Sequence, residues 1–436
     1  MAGNSWWGEE LVCRADDDAL WARGARAVTY GRMRSEVEWL RRVYRHHGVG
    51  VRSTVALHGT PSFTQLWSVF ALWSLGAHVV LLPQRVDLAA ALADAGPQFH
   101  VSFGGSDRAH RAFADECEVM VRRRPGGRPA DDESCLVQFS SGTTGDGRLV
   151  GRTAESLLAE LTRMAAVDGM PAAGENLLLL DSTTHSFGFV GGLLHSMNAG
   201  AVVLFPPAKA DADVVFGGPD HFDALARDPA RRAPRVAVSS GEVLPHGVFE
   251  RFHDRYGVRI GQAYGTTETG LLAADPRGAH GPDSVGVRLP GLRTRVERGV
   301  LEVHLARSPY RHAPEPWLGG WLSTHDLVTV APATGALRLR GRVDGCCREH
   351  DDVDLLAVER ALQAHPGVRE AVVVCSGVVE ALVTGSPALD EAGLVSWLSG
   401  ARVPVRCHVV PELPRTADGK FVRGRKLMRV ARGVTP

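Results

Sequence analysis

Between residue 30 and about residue 265, short apolar runs of strand character alternate with stretches whose apolar side chains return every three or four positions. Met33, Val37, Leu40 and Tyr44 form one face of a helix that ends near His47 and Gly48, and residues 55–57 then read as a strand. The runs 78–82, 201–205, 213–216, 235–238 and 258–263 continue the strand series, with helices expected over 153–167 and 245–256. Such alternation predicts an α/β fold of parallel sheets, because parallel strands need crossover connections that lie as helices on the sheet faces. The stretch 66–83 is the most membrane-like, but Ser68, Ser74, Gly76 and His78 interrupt it and Pro83 closes it. A buried helix followed by a buried strand accounts for it better than a span, which needs about 20 mostly apolar residues.

Past residue 281 the runs shorten and turns become frequent, with 300–305 and 337–339 the clearest strands, so 281–341 reads as a smaller β-rich part. Residues 345–436 then hold a helix over 355–364, strands over 370–375 and 378–384, and a helix over 390–398. That is enough for a separate α+β domain. The expected division is a large N-terminal domain (1–341), a short connection (342–344) and a small C-terminal domain (345–436).

Composition narrows the function without naming it. Forty-nine basic residues balance 49 acidic ones, with no block of five like charges, so no nucleic-acid footprint is expected. Lysine is scarce: Lys209, Lys420 and Lys426 are the whole set, every other basic residue being arginine. Seven cysteines form no Cys-x-x-Cys pair, which suits reduced thiols in a cytoplasmic protein. The N-terminal stretch carries Trp6, Trp7 and acidic residues where a signal peptide would have a basic start and an apolar run. No membrane partner is expected.

At the end of the strand-like run 135–139 stand Ser140, Ser141, Gly142, Thr143, Thr144, Gly145, Asp146, Gly147 and Arg148. Glycines let successive amides turn toward one point, hydroxyls add donors, and Arg148 adds a forked permanent cation, a combination suited to polyphosphate. A Ser/Gly-rich surface turn has the same composition. The Walker A pattern is nearly spelled out but fails, with Arg148 for its lysine and Leu149 where the magnesium-binding hydroxyl should stand.

The segment resembles the phosphate-binding loop of the ANL superfamily of adenylate-forming enzymes, which includes acyl- and aryl-CoA synthetases. Four further segments resemble that family in order. Tyr264-Gly265-Thr266-Thr267-Glu268 implies a Tyr264 ring on adenine, Thr267 on the α-phosphate and Glu268 on Mg²⁺. Trp321-Leu322-Ser323-Thr324-His325-Asp326 implies Asp326 on the ribose, with His325 where the family has glycine. Gly341-Arg342-Val343-Asp344 implies Arg342 at ribose or phosphate and Asp344 as the hinge of a mobile small domain. Leu413-Pro414-Arg415-Thr416-Ala417-Asp418-Gly419-Lys420 resembles the loop carrying the catalytic lysine, Lys420. Ser239-Ser240-Gly241-Glu242 resembles the turn passing adenine and one pocket wall. His185, in Thr184-His185-Ser186-Phe187-Gly188-Phe189, resembles the histidine at the entrance to the acid pocket.

The resemblance implies ATP-dependent activation of a carboxylic acid as acyl-AMP, with Mg²⁺, then transfer to a thiol, either CoA or the phosphopantetheine of an acyl carrier protein. Phe187, Gly188 and Phe189 offer no carboxylate, which favours an uncharged aryl or short acyl acid over an amino acid. Residues 345–353 lack the glycine and proline of the family's post-hinge stretch, which keeps an amine or other nonthiol acceptor in play. A noncatalytic nucleotide-binding relative is the third alternative. The acid, the acceptor, the pathway and the oligomeric state are not legible.

Overall fold

The computed structural model describes residues 6–104, 112–140, 148–228, 231–311, 317–342, 354–375, 378–400, 404–416 and 420–423. Two sheets meet in the large part of the molecule. In the first, strands Thr54–Gly59, His78–Leu81, Phe99–Phe103 and Ser134–Phe139 run parallel. They are buried on both faces, which explains why they read as unbroken apolar runs. Antiparallel strands Val119–Arg123 and Leu149–Thr153 close its edges.

The second sheet has a parallel centre in the order Val202–Leu204, Asn176–Leu179, Val214–Gly217, Val236–Ser240, Ile260–Thr266. Strand periodicity sorts its side chains. Leu177, Leu179, Val214, Phe216, Val236 and Val238 face the core shared with the first sheet, while Leu178, Val215, Ala237 and Ile260 face helices Pro219–Ala226 and His246–Tyr256 through Phe222, Val248 and Phe252. The expected helices are present over Tyr30–His46, Phe63–Ser74 and Ala154–Ala165, each started by a Thr or Ser side chain that accepts a first-turn amide. No described helix is long and apolar enough to cross a membrane.

The expected β-rich part is present and is continuous with the second sheet: Ile260–Thr266 turns into antiparallel Gly270–Asp275, and the ladder continues through Gly286–Arg288, Ala336–Arg342, Trp321–Val330, Val300–His304 and Thr294–Glu297. One expectation is corrected: Cys375 is disulfide-bonded, whereas Cys13, Cys117, Cys135 and Cys407 are free thiols. Gly191 and Gly192 belong to a π-helix, Phe187–Leu194, and serve packing, since a β-carbon at Gly192 would strike the Leu179 side chain.

Residues from Leu355 onward form a three-stranded sheet, Val368–Cys375, Val379–Gly385 and Val405–Val409, with helices Leu355–Gln363 and Glu391–Trp397. Leu355, Leu362, Val373, Val383 and Leu394 give it a core of its own.

Beneath the meeting point of the two sheets, Arg152 pairs with Glu160 at 2.7 Å, and Glu160 also accepts the Leu271 amide at 2.8 Å. Both side chains are about 4% exposed, so losing one partner strands a buried charge. Arg152→Met should lower unfolding stability by about 3–5 kcal/mol in denaturant titrations of the purified chain; a loss below about 1 kcal/mol would contradict the pairing.

Candidate active site

The carboxyl ends of the parallel strands open on one cleft of about 1000 Å³. That is where a parallel sheet presents ligand sites, because loops diverge there and free amides point outward. The first sheet sends Ser140 to the cleft; the second sends Asp181 to Gly188, Gly218 to His221, Ser239 to Glu242 and Tyr264 to Glu268. His185, Ser140, Arg148, Gly241, Glu242, Tyr264, Thr267, Glu268, Asp326, Arg342 and Lys420 all line it. Ser141, Gly142, Thr143, Thr144, Gly145 and Asp344 lie outside the described residues.

The neck of the glycine-rich segment is closed by two bonds: the Ser140 amide donates to the Arg148 carbonyl at 2.8 Å, and the Arg148 amide to Ser140 Oγ at 2.9 Å. The Arg148 guanidinium lies over the Tyr310 ring, 5.2 Å from its centre, and the Tyr310 hydroxyl donates to Glu268 Oε1 at 3.2 Å. Burial, and then the Glu268 charge, push the Tyr310 phenol above its ordinary range. Thr267 and Glu268 sit in the turn between Ile260–Thr266 and Gly270–Asp275, so no helix follows them and a capping role for this segment is excluded. The strand runs three residues further than the expected 258–263, carrying Tyr264 within it.

Asp326 and Arg342 are register partners on adjacent antiparallel strands. Their side chains meet at 3.1 Å, and the Tyr264 hydroxyl donates to the other Asp326 oxygen at 2.6 Å. Burial, and then the charge of Asp326, raise the Tyr264 phenol well above its usual value. His325 has φ +60, the left-handed region, which explains in backbone terms why glycine suits this position.

Lys420 comes from the far side. A β-carbon on Gly241, whose φ is +84, would lie 3.4 Å from Lys420 Cε and 3.6 Å from Nζ. The left-handed turn favours glycine there, and the ammonium lies within ordinary contact distance of it. The lysine turn is held by Thr416, whose amide donates to the Lys420 carbonyl at 2.7 Å, and is docked by the Phe421 amide, which donates to Glu242 Oε1 at 2.8 Å. Burial raises the Glu242 carboxyl above its ordinary range. Arg423 then returns to the small sheet's helix, bonding Glu359 at 2.8 and 2.9 Å.

At the remaining end, Phe187 packs its ring 5.1 Å from Phe216 beside His185. Sequence reasoning misses Asp181 here. The signal that could have found it is parity: Asp181 follows Leu177 and Leu179 on one strand face, so it points where they do, into the region of Phe187. The pocket therefore contains a carboxylate, although residues 187–189 supply none. Tyr310 and Arg423 escape the sequence as well, because distant segments bring them in.

A family model described as AMP-binding enzyme matches residues 10–300. The chain belongs to that family, within the ANL superfamily of adenylate-forming enzymes. It is 29% identical over 451 residues to an anthranilate–CoA ligase of Pseudomonas aeruginosa, covering 86% of each chain. It is 26% identical over 464 residues to a feruloyl-CoA synthase of Amycolatopsis, covering 92% of this chain and 94% of that one. Among solved structures, the anthranilate CoA ligase AuaEII in complex with anthranoyl-AMP has the same fold, with TM-score 0.79, 18% identity and coverage of 99% and 98%.

The positive φ at His325 gives a test of the ribose end. A β-carbon in the left-handed region costs roughly 1–2 kcal/mol, against roughly 0.5–1 kcal/mol of extra chain entropy for glycine. His325→Gly should thus stay within about 1 kcal/mol of the parent, while the β-branched His325→Val should fall by more than about 1 kcal/mol. Equal melting temperatures for the Val variant and the parent would rule out the conformation.

Proposed function

We propose that the protein is an AMP-forming acid–thiol ligase that activates an aryl or short acyl carboxylic acid with ATP. The substrate carboxylate oxygen attacks the α-phosphorus, the bond to the bridging oxygen breaks, and pyrophosphate leaves with that electron pair, giving acyl-AMP. A thiol sulfur then attacks the acyl carbon, AMP departs, and the thiol proton passes to solvent. The thiol is that of CoA or of a carrier protein's phosphopantetheine arm.

The observation that carries this reading is the Lys420 ammonium against Gly241, on the floor that the second sheet's strand ends make. Joining carboxylate to phosphate requires two anions to approach, and a preorganised cation between them stabilises the charge where it develops. Arg148 faces the phosphate end, and Tyr264 with the Asp326–Arg342 pair offers a ring and polar groups for adenosine. Asp326 is assigned to the ribose hydroxyls and Thr267 to the α-phosphate.

Glu268 is the residue that would hold Mg²⁺. A single carboxylate suits this ion, which keeps most of its water and takes its other ligands from substrate phosphates. Among the described residues, no group of three or more His, Cys, Asp or Glu offers a dedicated metal cage. When bound, Mg²⁺ neutralises triphosphate charge. The Tyr310 hydroxyl orients the Glu268 carboxylate.

For the thiol step the small domain, residues 345–436, pivots at Asp344 and withdraws Lys420. The carboxylic acids named in the relatives are largely aromatic, which sets the first substrates to try.

Acid-dependent ATP–pyrophosphate exchange, measured across aromatic and aliphatic acids, is the test. Lys420→Ala should lower the exchange rate about 100- to 1000-fold with the protein still folded. Exchange retained within a few-fold of the parent would refute the assignment of the lysine.

A further inference from the structure

The acid-binding end contains a carboxylate that the proposed chemistry does not use. The pairing register aligns Val214 with Leu177 and Phe216 with Leu179 on one side, and Gly217 with Ser239 on the other. Just past those pairs, Asp181, Gly218 and Ser240 come level at the carboxyl ends of three neighbouring strands. Gly218 has no side chain, so Ser240 Oγ reaches across it and donates to Asp181 Oδ2 at 2.9 Å. All three residues line the cleft.

Among the described residues that hydroxyl is the one hydrogen-bond donor Asp181 has. A carboxylate has room for about four such bonds, and one held in a deep cleft with a single partner is poorly compensated. Burial accordingly pushes its carboxyl above the ordinary range, with His221, Ser240 and Lys420 acting in the opposite direction. Thr183, 4% exposed and also lining the cleft, has a hydroxyl with no partner among the described residues. His221 is oriented: the Gly218 amide donates to its Nδ1 at 3.0 Å, which leaves Nε2 to carry the ring proton of the neutral form.

Resting on the ligase reading, we infer that Asp181, with Ser240 and His221, selects an acid carrying a hydroxyl or amino group, whose hydrogen the Asp181 carboxylate accepts. Phe187, which lines the cleft and is backed by the buried Phe216 ring, packs the hydrocarbon body of the acid. Lys420 takes its reacting carboxylate. An acid without the donor leaves Asp181 desolvated and unpaired, and sites built to bond a substrate hydroxyl or amine reject such analogues far more strongly than apolar pockets reject a missing methylene.

The test is pyrophosphate exchange with matched acids. Benzoates bearing amino, hydroxyl or methyl at each ring position would be compared, together with short aliphatic acids with and without a hydroxyl or amine. The parent enzyme should favour a donor-bearing acid over its methyl isostere by at least about 100-fold in kcat/KM. Asp181→Ala should reduce that ratio below about 10-fold, by loss on the donor-bearing acid and by gain on the methyl analogue, which no longer strands an unpaired carboxylate. Asp181→Asn, which keeps size and one acceptor oxygen, should fall between, and thermal unfolding of both variants checks that the fold survives. A parent enzyme that prefers unsubstituted or methylated acids overturns the inference. So does an Asp181→Ala variant that loses kcat equally on every acid, the mark of an electrostatic partner of Lys420. Either result leaves the ligase reading standing, whereas no exchange with any acid would overturn both.

Discussion

Two anions must meet in this cleft, and the arrangement of the chain follows from that constraint. A cation fixed permanently between them would obstruct whatever reacts next, so the charge is better carried on a separate body that docks and leaves. In the proposed mechanism Lys420 is carried on such a body. Its turn touches the large sheet through one charged acceptor, Glu242, and its ammonium rests where Gly241 provides space. The ion pairs between the two parts among the described residues include Arg360 with Asp283 at 3.0 Å and Arg338 with Asp354 at 3.2 Å. Partly exposed pairs of this kind contribute little each, which suits a reversible contact.

The lysine turn is tied more firmly to its own domain than to the other one. Arg423 grips Glu359 with two nitrogens, and Glu359 also accepts the Val373 amide at 3.1 Å. A bidentate, buried pair adds geometric constraint that a single exposed contact lacks. In the proposed mechanism these bonds make Lys420 travel with the small sheet, so that the docking of that unit aims it.

Much of this is legible in the amino-acid sequence alone. Strand ends predicted at 238, 263 and 139 fall beside Ser239, Tyr264 and Ser140, because buried parallel strands announce themselves as apolar runs. Lys420 stands out because the chain has so few lysines. What escapes is set by pairing between segments distant in sequence. Nothing local in the β-rich stretch shows that Gly270–Asp275 carries the ladder onward into it. Tyr310 reaches Glu268 across 42 positions, and Ser240 reaches Asp181 across 59. Asp181 is within reach of a parity argument, but it precedes residues 187–189, where the family resemblance directs attention for a pocket carboxylate. His325 reads from sequence only as a departure from the family's glycine, whereas its consequence lies in the left-handed backbone.

The central claim is that the docked ammonium serves the joining of acid to nucleotide and not the transfer that follows. Supplying chemically made acyl-AMP, with a thiol acceptor, to the Lys420→Ala protein and timing thioester formation separates the two halves. The account predicts transfer within a few-fold of the parent rate from the preformed adenylate. Transfer reduced as severely as adenylate formation would contradict it, since the lysine would then be needed in both halves.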